Sequence, residues 1–197
     1  MLQISERLLG PEHAGDLISR EEYAVADWQE PFTFERVRGR LVVMPPPGLE
    51  HRDCSRPFRR ELGLYWGLNP TVVDDVDVEG WVATSPDDDR LPDICVYLAA
   101  SRAGKKIPDR VPDLIYEIVS GNRADQERDY VFKRAEYHAI GVREYVIVDR
   151  FKKRVLVLTW QKDDYTERTL GSDEEYTTPL LPGLSIQLQE VFGERDA

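Results

Sequence analysis

A mixed α/β architecture, a central sheet flanked by helices, follows from three features of the sequence. Residues 93–98 and 113–119 are dense apolar segments that read as strands buried on both faces. Residues 123–140 form the best helix of the chain, and a further apolar strand at 144–149 follows it. No linker is long enough to divide the 197 residues. Residues 19–192 therefore read as one domain, with 1–18 as a variable lead-in and 193–197 as a C-terminal tail.

Each element has its own signal. Gly10-Pro11 breaks the lead-in. Ser19, with Glu22 following, has the form of a capping box and starts a short helix through about Trp28, which Pro31 ends. Residues 34–44 read as a strand, a turn at Arg38-Gly39-Arg40 and a second strand. Pro45-Pro46-Pro47-Gly48 stops that sheet, and residues 50–67 are helical. Residues 72–78 alternate with acids, Trp81-Val82 stays extended, and 85–89 reads as a charged turn. A basic loop, 102–110, separates the two buried strands.

In the helix at 123–140, Val131, Phe132, Ala135 and Ala139 make one apolar stripe, the face an amphipathic helix ordinarily turns to the core. At about 100° per residue, Tyr130, Lys133 and Tyr137 fall on a different face. Gly141 is placed to cap the helix. Residues 144–149, 154–160 and 165–170 read as strands, and Pro182-Gly183-Leu184 leads to an end strand or short helix through Phe192.

Composition narrows the function classes. A chain 41% hydrophobic and 32% charged, with 4 Trp, 9 Tyr and 6 Phe, is not intrinsically disordered. Its formal net charge of −11 speaks against a non-specific DNA coat. Cys54 and Cys95 form no spaced framework and read as reduced thiols of a cytoplasmic protein. Three scattered histidines without a cysteine pair argue against structural zinc. No apolar run reaches the roughly 18 residues of a membrane span. The start lacks the basic and apolar regions of a signal peptide.

The chemistry gathers where strands carry acids at their ends. Asp93 opens one apolar strand and Glu117 lies inside the other. An ionised carboxylate there is costly unless it is paired or bound to metal. Two oxygen ligands with waters and a substrate phosphate suit Mg²⁺ or Mn²⁺. The plain alternative is a strand-end Asp and a solvent-facing Glu. Lys133, off the apolar stripe of the next helix, is a cation able to approach the pair, activate a water and offset developing charge. Taken alone it is an ordinary helical lysine. Glu35 is a third candidate acid, and His51, Tyr130 and Tyr137 are accessory candidates with packing or capping as their plain alternatives.

In order, these pieces resemble the Uma2 family (DUF820) of the PD-(D/E)XK nuclease superfamily, over roughly residues 19–192. The segment from Glu35 through Gly39 to Leu41 resembles its early Glu-x-x-x-Gly-x-Leu motif, and Pro45-Pro46-Pro47 with Glu50-His51 its next signature. Pro92-Asp93 matches the Pro-Asp half of the superfamily motif, and Glu117-Ile118-Val119-Ser120 the family's Glu-x-x-Ser. Asp129, Lys133, Tyr137, Gly141-Val142, Glu144-Tyr145, Val148-Asp149 and Pro182-Gly183-Leu184 follow at matching spacing. Val119 stands where the superfamily places lysine, and Gly121 where proline often follows the serine.

The resemblance implies a restriction-endonuclease-like core with additional strands at both ends. It also implies a lysine moved to the following helix, as Lys133. It makes Asp93 and Glu117 the Mg²⁺- or Mn²⁺-binding acids, Glu35 a third acid that ligates the metal directly or through water, and Lys133 the catalytic cation of a DNA endonuclease. RNA as substrate also stays open, and a homodimer, a common form of assembly, would let two sites address two strands. Two other classes stay open: an inactive nucleic-acid-binding or regulatory protein on the same fold, and a protein-interaction scaffold. Basic patches for a nucleic acid are Arg52/Arg56/Arg59/Arg60, Arg102/Lys105/Lys106/Arg110 and Arg150/Lys152/Lys153/Arg154, each otherwise a solvated face.

Overall fold

The buried strands do form the centre of the molecule. The structure is a computed structural model that describes residues 8–101, 104–121 and 126–193. Residues 1–7 of the lead-in, Arg102, the helix start at 123–125 and the tail at 194–197 lie outside the described residues.

The strands are β1 (Leu8–Leu9), β2 (Asp27–Trp28), β3 (Thr33–Val37), β4 (Arg40–Met44), β5 (Val73–Val78), β6 (Val82–Ser85) and β7 (Asp88–Arg90). They continue with β8 (Ile94–Leu98), β9 (Leu114–Ile118), β10 (Glu144–Asp149), β11 (Arg154–Trp160), β12 (Tyr165–Gly171), β13 (Glu175–Tyr176) and β14 (Ile186–Gln187). The helices are α1 (Arg20–Val25), α2 (Leu49–Leu68), α3 (Lys133–Ile140) and α4 (Leu188–Phe192). A π-helical turn, Arg128–Phe132, leads into α3.

The large sheet has the order β12-β11-β10-β9-β8-β5. Only β9 and β10 run parallel, because the helical crossover through α3 joins them; the other pairs are antiparallel. The period of two in β8 divides its side chains between two cores. Ile94, Val96 and Leu98 pack with Phe58 and Leu62 of α2 on one face. Cys95 and Tyr97 share the other core with Tyr137 of α3. Helices on both faces explain why these strands read as continuously apolar.

A smaller sheet, β4-β3-β7-β6, carries a third core built on Tyr23, Phe34 and Leu41. The two-residue turn between β3 and β4 has φ of 51° at Arg38 and 72° at Gly39, the positive pair of a type I′ hairpin. The Arg38 N–H donates to Asp88 Oδ1 at 2.7 Å. The capping box forms as expected, with Glu22 N–H on Ser19 Oγ and Ser19 N–H on the Glu22 carboxylate. Gly141 ends α3 with φ 87°.

Three expectations are corrected. The helix that starts after Ser19 ends at Val25, and Asp27–Trp28 is instead strand β2, paired with β1. The acids at 87–89 are not simply a charged turn. Asp88–Arg90 is strand β7, and Asp89 is buried because Arg36 and the Trp81 indole N–H bond its two oxygens. The apolar stripe of the crossover helix also faces the wrong way. Val131 is 54% and Phe132 45% exposed, whereas Asp129, Lys133 and Tyr137 are buried. Polar groups can occupy the inner face because they satisfy one another there.

Candidate active site

Asp93 immediately precedes β8, and Glu117 lies near the end of β9. These strands pair with Ile94 opposite Tyr116, so the next step along the ladder sets Asp93 beside Glu117. The Ile118 N–H fixes Asp93 by donating to Oδ2 at 2.6 Å. His51, in the first turn of α2, brings Nε2 to 3.3 Å from the same oxygen.

Lys133 reaches this point from the other side. Its Nζ lies 2.6 Å from Glu117 Oε1, 3.2 Å from Glu35 Oε1 and 3.9 Å from Asp129 Oδ1. The Tyr137 hydroxyl donates to the same Glu117 oxygen at 3.0 Å. Asp129, Lys133 and Tyr137 recur every fourth residue and so share one helical face. The π turn carries Asp129 of that face, and the Lys133 N–H bonds back to the Arg128 carbonyl. Such turns are frequent at functional sites.

Glu35, on β3, stands behind Lys133. Its Oε2 accepts from Arg90 Nη1 at 2.9 Å, and its Oε1 from the Leu91 N–H at 3.3 Å as well as from Lys133. Arg90 then spans to α3, bonding both oxygens of Glu136. This ion-pair chain ties the small sheet to the crossover helix.

The charges follow from burial and neighbours. Burial alone would lower the Lys133 ammonium, but Glu117, Glu35 and Asp129 outweigh it and raise it. Burial would raise Glu35, but Lys133 and Arg90 hold it at about 2. Glu117 is pushed up to about 8 by burial, against the pull of Lys133 and with the help of Asp93 and Asp129. Asp129 is also raised by burial, against Lys133 and Arg128. One ammonium faces three carboxylates, and their combined charge keeps Lys133 protonated despite its burial. Burial would lower His51, but its hydrogen bond to Asp93 and the charge of Asp93 raise it.

A cavity of about 490 Å³ opens onto Asp93, Glu117, Asp129 and Lys133, and His51 and Arg150 also line it. The end of β4 and the Pro45-Pro46-Pro47-Gly48 run form another wall. Of the sequence candidates, Asp93, Glu117, Lys133 and His51 line the cavity, with Glu35 and Tyr137 behind its wall. Tyr130 does not join them, because its hydroxyl bonds Asp149 Oδ2 at 2.7 Å. The sequence names Asp129 within the family's spacing but gives it no role in the site, and it leaves out Arg90. Asp129 had a signal, its spacing from Lys133 and Tyr137. Arg90 had none, since its partner Glu35 lies 55 positions away.

The Uma2 family, described as "Putative restriction endonuclease", matches residues 20–189. The chain belongs to the Uma2 family. This Uma2 protein is similar in structure to a "putative nuclease belonging to DUF820" from Anabaena variabilis ATCC 29413. The TM-score is 0.69 at 16% identity, over 89% of this chain and 97% of that one. At that identity the likeness is one of fold. No curated protein matches the sequence. The family resemblance carried by the motifs and the restriction-endonuclease-like fold it implies both hold. Among the described residues no helix is long and apolar enough to cross a membrane.

Proposed function

We propose that this Uma2 protein is a metal-dependent endonuclease that hydrolyses phosphodiester bonds in DNA. One observation carries the reading: a buried, charged Lys133 held 2.6 Å from Glu117, in a cavity that also contains Asp93. On this reading Lys133 of the next helix takes the part of the lysine missing after the Pro-Asp and Glu segments.

The donor set fits a hard cation. Asp93 Oδ1 and Glu117 Oε2 make no hydrogen bond among the described residues, while the other oxygen of each is held in place. No group of three or more His, Cys, Asp and Glu is arranged for a metal among the described residues. Two carboxylates with retained waters and a substrate phosphate suit Mg²⁺, which dehydrates reluctantly. Glu35 does not fit as a ligand, since both its oxygens are already bonded; its role here is to hold Lys133. When bound, Mg²⁺ polarises the phosphate and lowers the pKa of a water. Lys133 orients the attacking water and offsets charge developing on the phosphate. Tyr137 and His51 keep the two carboxylates aimed.

The test is cleavage of supercoiled plasmid with Mg²⁺ or Mn²⁺ by wild type, D93A, E117A and K133A. Each variant is expected to lose activity by about 100-fold or more, the low end of what a positioned proton-transfer group contributes. Thermal melts run alongside exclude unfolding as the cause. Equal cleavage by all four proteins overturns the assignment.

A further inference from the structure

We infer that Phe151, in the turn between β10 and β11, is a stacking platform for an unpaired base of the DNA strand entering the cavity. The inference rests on the proposed DNA substrate and extends it to a strand structure.

Phe151 is 50% exposed, in a turn with a fixed backbone and with two neighbours against its ring. Its own N–H and that of Lys152 both donate to Asp149 Oδ1, at 3.1 and 3.0 Å, which locks the turn. The Arg150 guanidinium lies over the ring, 4.2 Å from its centroid. Arg150 is itself anchored by Glu50 and by the Val119 carbonyl. On another side the ring meets Gly121, where a Cβ would come within 3.3 Å of Phe151 Cζ. A side chain at position 121 would press on this ring, so the glycine leaves it room. Gly121 and Arg150 both line the cavity, so the ring stands at its border.

The chemistry selects the ligand. A fixed aromatic ring beside a cation, followed by Lys152 and Lys153, is the combination that takes a nucleobase and its phosphates. In a duplex each base face is covered by its neighbours, so a ring outside the helix reaches none of them. Only an unpaired or frayed strand offers a free face. The surface thus favours single-stranded or locally opened DNA next to the cleaved bond.

The experiment measures fluorescence anisotropy with a labelled single-stranded DNA oligonucleotide and a blunt duplex of the same sequence. Divalent metal is left out, so binding is read apart from cleavage. Phe151→Ala is expected to weaken single-strand binding about 5- to 150-fold, the range of base–aromatic stacking, and to change duplex binding little. Phe151→Leu, with apolar bulk but no π face, falls with Ala, and Phe151→Trp keeps the affinity. Unchanged single-strand affinity in Phe151→Ala, equal loss on both ligands, or full affinity in Phe151→Leu each overturns the inference. Equal Phe151-dependent binding of an RNA strand overturns its assignment to DNA. Plasmid cleavage is scored separately. A protein that binds through Phe151 but never cleaves sinks the hydrolysis alone, and one that cleaves without Phe151-dependent binding sinks the stacking alone.

Discussion

Glu35 is buried with its charge intact because two cations meet it, Arg90 at 2.9 Å and Lys133 at 3.2 Å. Burial pushes its carboxyl up, yet these cations hold it at about 2, against 4.5 in an open chain. The folded state thus binds the proton less readily than the unfolded one. Its contribution to stability is fully present above pH 4.5 and is lost as the pH falls toward about 2. Glu35→Gln removes that dependence. It leaves Arg90 and Lys133 short of a partner, so the variant is expected to be about 3–5 kcal/mol less stable near neutrality. Its deficit should then narrow as the pH drops through this window. Urea unfolding of both proteins across the acid range checks this, and parallel curves would show that Glu35 is not held ionised. Arg90 belongs to the same arrangement through its bonds to Glu35 and Glu136.

The crossover helix shows why some elements were legible in the sequence and others were not. Strands β8 and β9 were plain because every residue in them is buried, so apolar density marks both faces at once. The crossover helix inverts the usual pattern: Val131 and Phe132 face water while Lys133 and Tyr137 do not. Periodicity records which residues share a face, and it assigns the apolar one to the core by default. It has no access to the fact that Lys133, Glu117 and Tyr137 satisfy one another. Periodicity set Lys133 apart from the apolar stripe, and motif order tied it to Asp93 and Glu117. Arg90 and the turned-back role of Glu35 depend on pairs far apart in sequence, which no local pattern encodes. The inversion has a direct consequence. Val131→Lys is a surface change, expected to stay within about 0.5 kcal/mol, or roughly 2 °C in Tm. Tyr137→Phe removes a buried hydrogen bond to a carboxylate and is expected to cost about 1.5–3 kcal/mol. Thermal melts that rank the two the other way would mean that the apolar stripe is the packed face after all.

At the scale of the whole molecule, a formal charge of −11 stands against the polyanionic substrate proposed above. Part of that acidity is structural: Asp89, Glu35, Glu117 and Asp129 are buried and bonded within the fold. Encounter with phosphate then depends on the local field of the cavity border rather than on the global sum. The cations at that border are Arg150, which lines the cavity, and Lys152 and Lys153 in the same turn. Each phosphate neutralised releases counterions, so affinity falls with salt in proportion to the number of contacts. Three contacts correspond to a slope of log K against log salt of about −2 for a single strand and about −3 for a duplex. A protein that coats DNA through a broad basic face would show a far steeper slope. Titrations over a range of salt concentrations measure it directly. Lys152→Ala with Lys153→Ala should bring the single-strand slope to about −1 or shallower. A double variant that keeps the wild-type slope would place the phosphate contacts elsewhere, on the basic face of α2 or the loop before β9.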